Sequence, residues 1–168
     1  NTHAQKGFGL SRVELLNWGT FDGKVAVIEP DGRNMLLTGG NESGKSTIVD
    51  AVTTIFMSPN TIPYNKAASG GESKKGDRNL STYLRGVYGN GEDPSGRPVP
   101  ISLRKTSDPF YSVILAVFSE ESSGKTVTLA HFFKLESDGG ISKFFVCAEF
   151  DMSISGAFTS FDDIRELK

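Results

Sequence analysis

A chain of 168 residues, 37% hydrophobic and 23% charged, is long enough for one compact domain that buries about 70% of the surface its unfolded chain exposes. Its net charge of −2 supplies no overall pull towards nucleic acid, so contact with DNA has to come from a local patch. One cysteine, Cys147, excludes an internal disulfide, and the longest apolar run, Val113 to Phe118, is far too short to span a bilayer; with no signal peptide visible, the expected location is cytoplasmic.

In chain order, residues 1–9 read as a disordered start. Leu10 to Phe21 and Lys24 to Glu29 read as two strands joined through Asp22-Gly23. Asp31-Gly32 turns into Met35-Leu36-Leu37-Thr38, which reads as a short buried strand. Next comes Gly39-Gly40-Asn41-Glu42-Ser43-Gly44-Lys45-Ser46-Thr47, which fits the phosphate-binding pattern Gly-x-x-x-x-Gly-Lys-Ser/Thr. Ile48, Val49, Val52, Ile55 and Phe56 then recur at helical spacing up to the stop at Ser58-Pro59. A strand, the loop and a helix in this order form the context in which the pattern binds a nucleoside triphosphate.

The residue types state the chemistry. Gly39 and Gly44 let the backbone curl so that the amides of residues 39–47 point at phosphate oxygens, and the helix N-terminus adds partial positive charge. Lys45 is expected on the β- and γ-phosphates of ATP, Ser46 on Mg²⁺, and Thr47 near the α-phosphate.

From about 58 to 98 Gly, Pro, Ser and Asn accumulate and periodicity fades, which predicts a loop-rich insertion in which only Leu80 to Val87 is ordered as a helix. Ile101-Ser102-Leu103-Arg104 alternates and is a candidate short strand. Tyr111 to Phe118, Thr126 to Leu135 and Lys143 to Asp151, linked by Ser122-Ser123-Gly124 and Asp138-Gly139-Gly140, predict an antiparallel meander. Ser160-Phe161-Asp162-Asp163 resembles a capping box that opens a helix running to Lys168. The fold class is therefore α/β: a P-loop core with parallel strands and an adjoining antiparallel sheet.

Other motifs narrow the function. Asn65-Lys66-Ala67-Ala68 has alanine where a GTPase motif needs the guanine-reading carboxylate, and no Arg-rich lid of a small-molecule kinase is visible. A Walker B strand must end in Asp, usually followed by Glu. Val113 to Phe118 leads instead into Ser119-Glu120, and Phe144 to Cys147 into Ala148-Glu149, whose Glu149 and Asp151 read as a solvated face. Ala68-Ser69-Gly70-Gly71-Glu72 is close to an ABC signature loop but stands soon after the P-loop helix, where a plain turn explains it better.

Val13-Glu14-Leu15-Leu16-Asn17-Trp18-Gly19-Thr20-Phe21, the P-loop, Ile48-Val49-Asp50-Ala51-Val52, Tyr64 to Ala68 and Arg78 to Gly86 together resemble the amino-terminal ATPase head lobe of SMC-like proteins. Within these the resemblance is to the MukB-like branch, and in particular to the JetC family of Wadjet plasmid-defence systems. It implies that residues 10–168 are one lobe of an ATPase head, carrying Walker A, while a carboxy-terminal lobe beyond a coiled-coil arm carries the signature loop and Walker B. It implies further partners: a second head in a homodimer, kleisin-type subunits and DNA, with no membrane. Such a fragment is expected to hydrolyse ATP negligibly by itself. By position, Asn17 to Thr20, with Trp18 either there or in the core, would lie beside the nucleotide, and Arg78 would reach nucleotide or DNA. Lys74, Lys75, Arg78 and Arg85 form a weak basic cluster. The glutamine that such heads present to Mg²⁺ has no counterpart beyond Gln5; His131 could replace it, although a hydrogen-bonded histidine on a packed face explains that residue better. The competing assignments are a RecF-like or DNA-repair ATPase fragment, and a self-contained P-loop kinase or nucleotide-binding regulator.

Overall fold

Strand β5 (Phe110–Glu120) runs through the middle of the domain, and its apolar sequence FYSVILAVFSE is buried without interruption from Ser112 to Val117. A strand covered on both faces must be apolar at odd and even positions alike, because successive side chains alternate between faces. In the computed structural model, which describes residues 7–40, 44–58, 61–62, 80–105 and 110–157, β5 is the centre of a five-stranded sheet. The order is β2-β1-β5-β6-β7, with β1 at Gly9–Leu16, β2 at Ala26–Ile28, β6 at Lys125–Leu135 and β7 at Ile141–Ala148. All four neighbouring pairs are antiparallel.

The expected meander is present. β5 pairs with β6 from Phe110↔Leu135 to Glu120↔Lys125, and β6 with β7 from Thr128↔Ala148 to Leu135↔Ile141. Gly124 and Gly139, both at positive φ, close the two turns.

One face of the sheet carries Val13, Leu15, Ile114, Ala116 and Phe133, and packs against α1 (Lys45–Phe56) and α2 (Leu80–Leu84) through Ala51, Ile55, Leu80, Tyr83 and Leu84. This burial stabilises α1 despite its β-branched content, which disfavours an isolated helix. The other face carries Val113, Leu115, Val117, Ala130 and Phe132 and is met by Ile154 of α3 (Ile154–Ala157). There Glu14, only 3% exposed, accepts hydrogen bonds from Ile154 N at 2.7 Å and Arg12 Nε at 2.8 Å. Arg12 also bonds Asp151 and the Met152 carbonyl, so residues 151–154 are tied to β1.

Three expectations are corrected. Met35 to Thr38 forms no strand and has no strand partner among the described residues, and Leu36 is 85% exposed. Every strand pair among the described residues is antiparallel, and residues 35–38 add no parallel one. In the stretch expected to be irregular, β3 (Val87–Glu92) and β4 (Pro98–Ser102) form a two-stranded ribbon. Its turn is held by Asp93, whose Oδ1 accepts from Ser95 N, Ser95 Oγ and Arg97 N. The prolines at 98 and 100 are tolerated because the ribbon has only one ladder to satisfy. The expected 160–168 helix, Tyr64 to Ala68, and Lys74, Lys75 and Arg78 lie outside the described residues.

Candidate nucleotide site

The phosphate loop meets α1 at Gly44, the helix N-cap, whose φ of 85° is left-handed and therefore suits a residue without Cβ. Gly44 O accepts the first helical hydrogen bond, from Ile48 N at 3.0 Å. Lys45 turns back over the loop, and its Nζ donates to Gly39 O at 2.8 Å and Gly40 O at 2.6 Å. The ammonium is thus held at the carbonyls of Gly39 and Gly40, at the start of the motif. Ser46 and Thr47 follow in the first turn, Ser46 part-buried and Thr47 8% exposed. Asn41, Glu42 and Ser43 lie outside the described residues.

This arrangement fits ATP with magnesium. The carbonyls that hold Lys45 belong to an exposed loop, so their loss to a phosphate oxygen leaves them hydrated rather than orphaned. Among the described residues no group of three or more His, Cys, Asp or Glu side chains could hold a metal ion. Ser46 is the residue that would hold Mg²⁺, whose remaining ligands would be water and substrate phosphate.

A second loop, residues 17–23, leans on the first. Asn17 is left-handed (φ 51°), an allowed conformation for asparagine. Its Nδ2 donates to Tyr111 O and its Oδ1 accepts from Gly23 N, each at 2.9 Å, which fixes both ends of the loop. Trp18 is fully buried, 4.8 Å from the Tyr83 ring and 5.9 Å from the Phe133 ring, and its Nε1 donates to Thr47 O at 3.1 Å. Of the two places open to it, Trp18 takes the core: it supports the phosphate-loop helix from beneath and has no surface left for a ligand.

Gly19 closes the gap between the loops. A Cβ there would lie 2.6 Å from Thr47 Cγ2 and 3.0 Å from Tyr83 Cε1, at a φ of 53°. Phe21 and Thr20 reach Gly44 itself: a Cβ on Gly44 would stand 3.2 Å from Phe21 Cζ and 3.7 Å from Thr20 Oγ1. Thr20, exposed, is therefore the residue of the Asn17 to Thr20 segment whose side chain reaches Gly44.

Arg104 was legible in the sequence only as the end of a short strand. Its guanidinium, 7% exposed, donates from Nε to Leu84 O at 2.6 Å, from Nη2 to Gly19 O at 2.6 Å, and from Nη1 to Phe21 O at 3.2 Å and Asp22 Oδ1 at 2.7 Å. Burial lowers its pKa and Asp22 opposes the shift. Gly86 makes room for it: a Cβ there would stand 2.5 Å from Gly19 O and 2.8 Å from Arg104 Nη2.

His131 is 5% exposed, edge-on to Phe145 at 3.9 Å and to Phe133 at 5.7 Å between ring centroids. Its place on a packed face is as expected, but its Nδ1 has no hydrogen-bond partner among the described residues. Burial first, and then the charge of Lys143, push its pKa down to about 4. The groups around it are aromatic rather than phosphate-loop residues. Glu149 is exposed just past the end of β7, and Asp151 is engaged by Arg12; neither stands at the phosphate loop.

Residues 10–71 match a family model described as the P-loop containing region of the AAA domain. None of the curated proteins compared with the chain matches it. Among the solved structures that match the chain in part are the following two. One comes from work on ATP-driven dimerization and DNA-stimulated activation of SMC ATPases: 18% identity, 82% of this chain and 69% of that chain covered, TM-score 0.46. The other is an SMC head bound to the C-terminal winged-helix domain of ScpA: 17% identity, 82% of this chain and 35% of that chain covered, TM-score 0.42. No helix among the described residues is long and apolar enough to cross a membrane.

Proposed function

We propose that this chain is the ATP-binding half of an SMC-like ATPase head, completed by a second lobe that supplies the catalytic carboxylate. The observation that carries it is the apolar surface flanking the phosphate loop in sequence. Met35 and Leu36 are 43% and 85% exposed on a segment without a strand partner among the described residues, and Val49 and Phe56 of α1 are 55% and 61% exposed. An unpaired apolar segment leading into a helix with an outward apolar stripe is a surface built to be covered. A lobe that adds a strand beside residues 34–38 would supply the parallel pairing expected from the sequence and would cover that face.

In such a head Lys45 neutralises the β- and γ-phosphates, the amides around Gly39 and Gly44 fix the phosphate chain, and Ser46 holds Mg²⁺. What remains is an acid residue to orient water, and the described residues offer none beside the loop. By its sequence resemblance the head belongs to the MukB-like branch and to the JetC family of plasmid-defence subunits. It then works as a homodimer with kleisin-type subunits and couples ATP hydrolysis to DNA movement.

The test is ATP binding and turnover by the chain alone and with its complementary lobe. The chain alone should show negligible turnover, and the pair should show Mg²⁺-dependent turnover that Lys45→Ala abolishes. Robust hydrolysis by the chain alone, lost in Lys45→Ala, would instead identify a self-contained P-loop enzyme.

A further inference from the structure

We infer that Arg104 is a positioning residue for the bound nucleotide: it sets the 17–23 loop at the height where Thr20 and Phe21 border the phosphate loop. The inference rests on the ATP site proposed above and adds to it a residue from a distant part of the chain. The guanidinium donates either to the loop, through Gly19 O, Phe21 O and Asp22 Oδ1, or to Leu84 O at the end of α2. The cation therefore joins α2 to the loop.

A role in fold stability alone accounts poorly for this arrangement. The loop is already fixed at its ends by Asn17 and beneath by Trp18. Burying a guanidinium costs several kcal/mol of hydration, which an apolar residue at the same place would not incur. What the fork provides is direction: its donors lie in one plane, and three hydrogen bonds from Nη1 and Nη2 fix acceptors on Gly19, Phe21 and Asp22. The ring of Phe110, 5.6 Å from Cζ, holds the plane from one side.

The consequence appears at the phosphate loop. Phe21, whose carbonyl Arg104 holds, is the residue whose ring nearly touches Gly44, and Thr20, between the two held carbonyls, carries its hydroxyl to the same glycine. Thr20 is exposed there and free of structural duties in the core, so its hydroxyl is available to a phosphate or ribose oxygen. Arg104 itself stays out of reach, occupied by carbonyls and Asp22. Its effect on ligand passes through the loop.

The experiment measures ATP affinity and hydrogen exchange together, on the whole chain with its complementary lobe, with Mg-ATP as the probe. In the unmodified protein ATP should slow exchange in both 17–23 and 39–47. Arg104→Met should weaken ATP about tenfold, the scale of one lost charge-assisted contact. It should abolish the ATP-dependent protection of 17–23 and leave that of 39–47 and the resting protection of β5 and β6 in place. Arg104→Lys, which keeps the charge and loses the fork, should rescue less than half of the loss on a logarithmic scale.

Should Arg104→Met fail to fold, Asp22→Asn serves in its place. It removes the one partner that is half exposed and leaves the carbonyl contacts, and should weaken ATP about threefold. Unchanged affinity in a folded Arg104→Met or Asp22→Asn protein overturns the inference, as does full rescue by lysine. If the unmodified pair binds no ATP, the nucleotide site itself is refuted, and that result is distinguishable because it precedes any change at Arg104.

Discussion

Strand β5 and the run Met35-Leu36-Leu37 within residues 34–40 are both apolar, yet their surroundings are opposite. Ser112 to Val117 have neighbours on two sides and helices or Ile154 on both faces, and are buried throughout. In the other segment Leu37 alone is even part-buried, and no neighbouring strand takes up its amides and carbonyls among the described residues. Hydrophobicity made both look like strands; only one has partners among the described residues. The sheet is a finished structure, and the start of α1 is joined to it through Trp18, whose indole donates to Thr47 O, and through the packing of Ala51 and Ile55, whereas Met35 and Leu36 face solvent.

The strongest way to break that contrast is to remove the link. Trp18→Ala deletes the largest fully buried side chain, which lies between the Tyr83 and Phe133 rings and donates to Thr47 O. A large-to-small change of this kind costs about 3–5 kcal/mol, which equilibrium urea unfolding would read. A loss below about 1 kcal/mol would mean that loop and sheet are not joined through this residue.

A subtler change tests the finished half. His131 is neutral in the folded sheet because its pKa lies at about 4, against about 6.5 in the unfolded chain. Between those values the unfolded state binds the extra proton, so stability is full above pH 6.5 and falls as the pH drops towards 4. The total loss is about 3 kcal/mol, since every tenfold difference in proton affinity between the two states is worth about 1.36 kcal/mol. His131→Phe should flatten that part of the profile, because a ring without ionisation suits a site between Phe133 and Phe145. Equal slopes for the two proteins from pH 6.5 to 4 would count against a buried neutral histidine.

What could be seen beforehand follows the same division. The meander was legible because alternation, Gly124 and Gly139 are local signals, and the phosphate loop because its chemistry fixes its spacing. The β3–β4 ribbon was hidden by its prolines and glycines, which ordinarily argue against a strand; Asp93, accepting three hydrogen bonds, organises it. Arg104 carried no signal at all. Its acceptors are mainly backbone carbonyls on loops far away in sequence, and carbonyls have no residue type. The unpaired state of Met35 to Thr38 was equally invisible, because apolarity states that a strand wants a partner without stating which chain segment supplies it.

The smallest expected effect on stability bears most directly on function. Leu36→Asp alters a side chain that is 85% exposed, so unfolding of the chain alone should change by no more than about 0.5 kcal/mol. If residues 34–38 are the strand on which a complementary lobe docks, the same substitution places a charge in an apolar seam and should weaken association of the two lobes at least tenfold. ATP turnover by the reconstituted pair should fall with it and recover at high lobe concentration, since Lys45 and Ser46 are untouched. Affinity between the lobes that ignores Leu36→Asp would show that the exposed segment is not the docking strand, and the cover for the phosphate loop would have to come from the Val49–Phe56 side of α1 instead.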